Sequence, residues 1–279
     1  MLQVRGNLTT TYGDVLTSKV LTVLNELAPF DVVRRAIGQA RLDRRSRRQQ
    51  RHERIGFLSP NDVIARTSIR VRDARDGRFV GSEIPPDLQR QWIQGTGPAA
   101  KPNSPVEQSI RNVAYALLSG ADGWMFDGED ALGQVSTMSL DNQRNLKLAV
   151  HDDPLFLKVA EQVAVDINRW AEGFLGGSTI SDWRQQLGFT TRIFRPRGLH
   201  LDDRHVRNQD ATGFSASIVD ATLYVVNNGR RLLDKGSSIV LYLPKIQTAE
   251  EAALWNDILS ALEARLQLPP ATIKTYVLV

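Results

Sequence analysis

Apolar positions recur along this chain with two periods. From Val15 through Val20, Leu21, Val23, Leu24, Leu27, Val32, Val33 and Ile37 they fall three or four residues apart, which predicts a helix broken near its middle by Pro29 and continued by an arginine-dense tail, Arg41 to Arg54. Arg70 to Phe79 reads as a hairpin turning at Asp76-Gly77, Ile84-Pro85-Pro86-Asp87-Leu88 as a rigid connector, and residues 91 to 98 as a short strand ending in a tight turn. Ser104-Pro105-Val106-Glu107 has the form of a capping box with proline at the first helical position, and its helix runs to about Leu118, where Gly120 closes it. Gly123-Trp124-Met125-Phe126 is a buried strand. Asp153-Pro154 opens a long helix with Phe156, Val159, Val163, Ile167, Trp170 and Phe174 on its apolar side and Gly176-Gly177 as its stop.

The next strand leads into Arg195-Pro196-Arg197-Gly198, where it must end, because proline offers no ladder N–H and glycine permits a sharp exit. Ile218 to Leu233 is helical up to Gly236, and Ile239 to Leu243 is a strand stopped by Pro244-Lys245. Thr248-Ala249-Glu250-Glu251 is a second capping box, whose helix passes through Leu254, Trp255, Ile258, Leu262 and Leu266 before Pro269-Pro270. Lys274 to Val279 is again strand-like.

Strand and helix therefore alternate from residue 91 onward, which predicts βαβ units and a parallel sheet. Thr96, Glu129, Asp130, Arg195 and Lys245 all fall at or just after C-terminal strand ends, and a barrel gathers those ends on the rim where barrel enzymes work. An open sheet would more often carry a glycine-rich phosphate loop, and Gly95-Thr96-Gly97-Pro98 is neither a dinucleotide fingerprint nor a P-loop. The expected fold is α/β, a (β/α)₈ TIM-barrel type over residues 76–279 with about the first five strands present, preceded by an arginine-rich helical segment over residues 1–75. With Tyr276-Val277-Leu278-Val279 reading as the middle of a buried strand, the expectation is a truncated barrel.

Composition narrows the setting. The 279 residues are 42% hydrophobic and 24% charged, with no apolar run of membrane-spanning length and no secretory signal in Met-Leu-Gln-Val-Arg-Gly-Asn. No membrane partner is expected. The absence of cysteine excludes disulfides, cysteine-ligated metal and thiol catalysis, and agrees with a cytoplasmic protein. The net charge of +4 owes much to Arg41, Arg44, Arg45, Arg47, Arg48, Arg51 and Arg54. Such a run neutralises phosphates in nucleic-acid-binding arms, but without interleaved aromatics it reads as a solvated helix face, and nucleic acid is not the expected partner.

An ordered set of motifs resembles the malate synthases, and more closely their shorter form. It comprises Ile84-Pro85-Pro86-Asp87-Leu88, Thr96-Gly97-Pro98, Gly120-Ala121 with Met125 and Glu129-Asp130-Ala131, and Arg195-Pro196-Arg197-Gly198-Leu199-His200-Leu201 with His205-Val206. It continues through Leu223-Tyr224, Tyr242-Leu243-Pro244-Lys245, Trp255-Asn256-Asp257 and Leu268-Pro269 with Thr272-Ile273-Lys274. The resemblance implies a (β/α)₈ barrel followed by a helical C-terminal domain, and Mg²⁺-dependent condensation of acetyl-CoA with glyoxylate to malate and CoA. That chemistry needs an aspartate base, a cation for the enolate oxygen and a metal at the aldehyde.

By this resemblance Arg195 is the catalytic arginine, and Glu129 and Asp130 are the acidic pair near the metal. Loop carboxylates of this kind also cap turns. Arg197 and His200 are candidates for the substrate surroundings or for pairing with Asp202 or Asp203, and Lys245 for a CoA phosphate or a substrate carboxylate. Asn227-Asn228 and the stretch Ala99 to Asn103 depart from the family pattern. The family's Mg²⁺ ligands and base aspartate would lie beyond Val279, so no metal ligand is assigned within the chain and no turnover is expected from it alone. Two alternatives stand beside this reading: a citrate-lyase-like aldolase cleaving malyl-CoA or citramalyl-CoA, and a non-catalytic binding protein.

Overall fold

The computed structural model describes residues 1–54, 56–64, 67–79, 81, 83–131 and 133–278. Its elements run β1 (Gln3–Val4), α1 (Leu8–Thr11), α2 (Ser18–Arg51), α3 (Val71–Arg75), β2 (Trp92–Gln94), α4 (Val106–Ser109), α5 (Arg111–Leu117) and β3 (Gly123–Asp127). There follow α6 (Met138–Val150), α7 (Pro154–Leu175), α8 (Trp183–Phe189), β4 (Thr191–Arg195), β5 (Asp202–Arg207) and β6 (Gly213–Ser215). The last are α9 (Ala216–Asp234), β7 (Ile239–Leu243), α10 (Ala249–Arg265) and β8 (Ile273–Val277).

Strands β2, β3, β4, β7 and β8 form one sheet in that order, every pairing parallel. Helices lie on each crossover, and the strand order never reverses. A doubly wound sheet reverses at its switch point, whereas the wall of a (β/α)₈ barrel does not. The fold is α/β of the TIM-barrel type, with five parallel staves and no closure among the described residues.

Side chains alternate across this wall with the period of two that strands impose. On the inner side Met125, Ile193, Val240 and Tyr242 cluster with Trp92 and Tyr276. Trp92, on the first edge strand, lies 5.3 Å by ring centroid from Tyr276 on the last, so the sheet is curled far enough for its two edges to touch. On the outer side Phe126, Phe194, Ile239, Leu241 and Leu243 join the main core with Leu223, Tyr224 and Trp255. A smaller antiparallel sheet, β1-β5-β6, packs on α9 and α2. No helix among the described residues is long and apolar enough to cross a membrane.

Several elements differ from their sequence expectation. Pro29 lies within α2 without ending it, because Val20, Val23, Leu24 and Leu27 pack that face into the core and the buried Asp31 and Arg34 carry it onward. Val32 and Val33 face solvent, at 70% and 46% exposure. The hairpin expected over Arg70 to Phe79 is instead the short helix α3, with Val71 buried and Gly77 (φ +68°) turning the chain after it. At the first expected capping box Pro105 itself occupies the N-cap, and the Ser104 hydroxyl has no partner. Trp170 and Phe174, expected on the buried side of α7, stack on each other at its exposed end. Val279, the end of the expected last strand, lies outside the described residues.

The second capping box is formed as expected. The Thr248 hydroxyl accepts from the Glu251 N–H at 3.2 Å, and the Glu251 carboxylate accepts from the Thr248 N–H at 3.3 Å. Thr248→Ala is expected to cost about 1 kcal/mol, the usual worth of an N-cap. An unchanged urea midpoint would show that tertiary packing alone holds the start of α10.

Candidate active site on the barrel rim

Because β3 and β4 are parallel and in register, the inward residues at their C-terminal ends, Asp127 and Arg195, are cross-strand partners. The Asp127 carboxylate does two jobs. One oxygen accepts from the N–H groups of Glu129 (2.9 Å) and Asp130 (3.0 Å), which folds the turn after β3 back over the rim. Its other oxygen accepts from an Arg195 terminal nitrogen at 2.9 Å. The second terminal nitrogen of Arg195 meets Glu129 and Asp130, each at 2.8 Å. Arg195 is 3% exposed and thus held from three directions in a largely dry site.

Lys245 closes the cluster from β7. Its backbone is left-handed (φ +54°), a conformation a side chain adopts at a cost of roughly 1 kcal/mol, and its ammonium lies 3.3 Å from Glu129 and 3.0 Å from Asp130. Glu129 also accepts from the Gly198 N–H at 3.2 Å. A methyl group at Gly198 would stand 2.8 Å from that carboxylate and 2.7 Å from the His200 ring, so only glycine allows the approach. His200 stands at the edge, Nε2 3.9 Å from Glu129.

Burial opposes ionisation of Asp130, but the Lys245 hydrogen bond and the Arg195 and Lys245 charges outweigh it and hold its carboxyl below the usual range. Burial likewise works against the charge on Arg195 and on Lys245, and their carboxylate neighbours overcome it and strengthen both bases. His200 is pushed down by burial, with Lys245 and Arg41 opposing the pull of Glu129, which favours its neutral form. In Lys245→Met the Asp130 carboxyl is expected to rise toward its ordinary value, followed by NMR titration. Stability should change by less than about 1 kcal/mol, since the pair is part exposed. An unmoved Asp130 would mean that Lys245 does not hold this position in solution.

Of the residues singled out in the sequence, Glu129, Asp130, Arg195 and Lys245 come together, with His200 beside them. Thr96 is exposed and outside the cluster. Arg197 faces the other way: only Pro196 separates it from Arg195, yet its guanidinium bonds Asp220 at 2.7 and 2.8 Å and Asp203 at 2.6 Å. Asp202, the other partner considered for it, pairs instead with Arg34 at 2.6 Å. Asp127 was not among the expected site residues. The strand period places it on the face of Met125, but its pairing with Arg195 depends on a register that one strand cannot reveal.

Mg²⁺ binds hard oxygen ligands in a near-octahedral array. The rim carboxylates are directed at Arg195 and Lys245, and among the described residues no group of three His, Asp or Glu side chains is placed to hold a metal. The residues described do not fit the ion.

Residues 191–279 match the family model described as the malate synthase TIM barrel domain. The chain is 32% identical over 266 residues to a malate synthase of Streptomyces clavuligerus, covering 95% of itself and 43% of that protein. It is 31% identical over 275 residues to malate synthase A of Escherichia coli, covering 96% of itself and 44% of the relative. A malate synthase of Myxococcus xanthus is 29% identical over 283 residues, again with 44% of its length covered. The chain thus spans less than half the length of these relatives.

Proposed function

We propose, from its likeness to malate synthases over nearly all of its length and to their TIM barrel domain over residues 191–279, that the chain supplies one side of a malate synthase rim, acting in the cytoplasm on acetyl-CoA and glyoxylate in the glyoxylate bypass. In this reading Arg195 meets the glyoxylate oxygens and the enolate oxygen as charge develops there, a task suited to a planar fork with parallel donors. The observation that carries the reading is the burial of Arg195 at the inner C-terminal end of a parallel strand, held there by Asp127, Glu129 and Asp130. Glu129 and Asp130 orient the fork, and Lys245 balances them. His200 borders the substrate space, and Arg197 stiffens the loop behind it.

Three carboxylates face two cations in this cluster, which leaves one negative charge in excess and disfavours an anionic substrate. Further positive charge is therefore needed at the rim. In this reading the Mg²⁺ ligands and the base aspartate belong to parts of the relatives that this chain does not span.

CoA release from acetyl-CoA and glyoxylate with Mg²⁺ tests the proposal. The chain alone is expected to release none. Fused in place of the matching part of the Escherichia coli relative, it is expected to support release that falls sharply in Arg195→Lys. Release insensitive to that change would overturn the role of Arg195, and a folded fusion that instead cleaves malyl-CoA without condensation would move the assignment to a lyase.

A further inference from the structure

The arginine-dense half of α2 does more than face solvent. Its inner side forms, with the loop after β4 and the start of α10, a cleft of about 860 Å³. Two ion pairs brace the walls. Arg34 donates to the Leu199 carbonyl at 3.0 Å and to Asp202 at 2.6 Å, and Arg41 reaches Glu251 at 3.3 Å. Those pairs occupy both carboxylates that line the cleft, and Arg35 is paired with Asp31 at 2.9 Å. Arg44, Arg45 and Arg48 also line it, and among the described residues none of the three has a carboxylate partner. Arg44 and Arg48, four residues apart on one helix face, are half-buried, while Arg47 and Arg51 point outward. The floor between them and the loop is aliphatic: Ile37, Leu199 and Leu254.

We propose that this cleft binds a nucleoside di- or triphosphate, its phosphates on Arg44, Arg45 and Arg48 and its base on the aliphatic floor. The argument is independent of the proposed reaction. Unpaired guanidinium forks match phosphate oxygens two at a time, and the volume lies in the range of sites that enclose a small ligand. A duplex would instead draw on the outward Arg47 and Arg51, which lie outside the cleft. The site is also wired to the rim. His200 lines the cleft and lies 3.9 Å from Glu129, with Asp130 and Lys245 on its rim side and Arg41 on the cleft side. A bound polyphosphate offsets the arginine charge that disfavours protonated His200.

Calorimetric titration of the whole chain with ATP at low salt tests this. One-to-one saturable binding is expected, at least tenfold weaker in R44Q/R48Q and within twofold of the parent in R47Q/R51Q, with urea midpoints unchanged in both. Tripolyphosphate should bind more weakly than ATP, and adenosine not at all. Independently of any variant, the NMR titration midpoint of His200 should rise when ATP is bound. Absence of saturable binding, equal loss in the two double variants, or an unmoved His200 would overturn the proposal. Tripolyphosphate binding as tightly as ATP would remove the nucleoside from it. Duplex DNA binding that is lost in R47Q/R51Q but kept in R44Q/R48Q would reassign the segment to nucleic acid.

Discussion

Arg195→Met is expected to destabilise the chain by about 3–5 kcal/mol, the scale at which one partner is removed from a buried ion pair. The cause is what remains. Asp127 and Glu129, at 7% and 2% side-chain exposure, would keep their burial and lose their shared cation. Lys245 reaches Glu129 and Asp130 but is not paired with Asp127 among the described residues. Arg195→Lys should cost less than methionine, since it keeps the charge while losing the fork.

The compensating variant is the sharper test. Adding Asp127→Asn and Glu129→Gln to Arg195→Met removes the stranded charges. Both amides keep an oxygen for the backbone N–H groups of Glu129, Asp130 and Gly198 that the carboxylates now serve. Most of the lost stability should return in urea unfolding. A loss below about 1 kcal/mol for Arg195→Met alone would mean a solvated, weakly coupled cluster, and would withdraw the dry rim on which the proposed chemistry rests.

Legibility in the sequence followed the range of the interactions. Strands β3, β4 and β7 are short apolar runs with abrupt polar, proline or glycine ends, and helices α7 and α10 announce themselves by Asp153-Pro154 and by the Thr248 box. Local chemistry decides these. Helix α6 is unmarked in the sequence because polar side chains carry much of its buried face: Asn145 donates to the Pro98 carbonyl and to Ser109, and Gln143 to the Asp220 carbonyl, which blurs any apolar period. Strands β5 and β6 are unmarked for a similar reason, since β5 is Asp-Asp-Arg-His-Val-Arg and is recognisable only by its antiparallel pairing with β1 and β6. At the rim, parallel topology brought Glu129, Asp130, Arg195 and Lys245 to one end. Which of Arg195 and Arg197 faces inward depends on tertiary structure, because either side of Pro196 offers the same guanidinium.

Arg197 is expected to be as costly to remove as Arg195, with a different signature. Its side chain is 1% exposed and ties three segments: its own loop, Asp203 in β5 and Asp220 in α9. Burial works against its charge, but the two carboxylates outweigh it and strengthen the base, so no accessible pH neutralises it. Arg197→Met should therefore cost about 3–5 kcal/mol by leaving both acids unpaired. The loss should also appear locally. Asp203 turns its other oxygen to the N–H groups of His205 and Val206, both at 2.7 Å, and that orientation is set by the oxygen Arg197 holds. Hydrogen exchange at His205 and Val206 should accelerate in Arg197→Met beyond the global loss, while in Arg195→Met it should follow global stability only. Equal protection at these two amides in both variants would show that Arg197 supports the fold as a whole without organising the loop behind the rim.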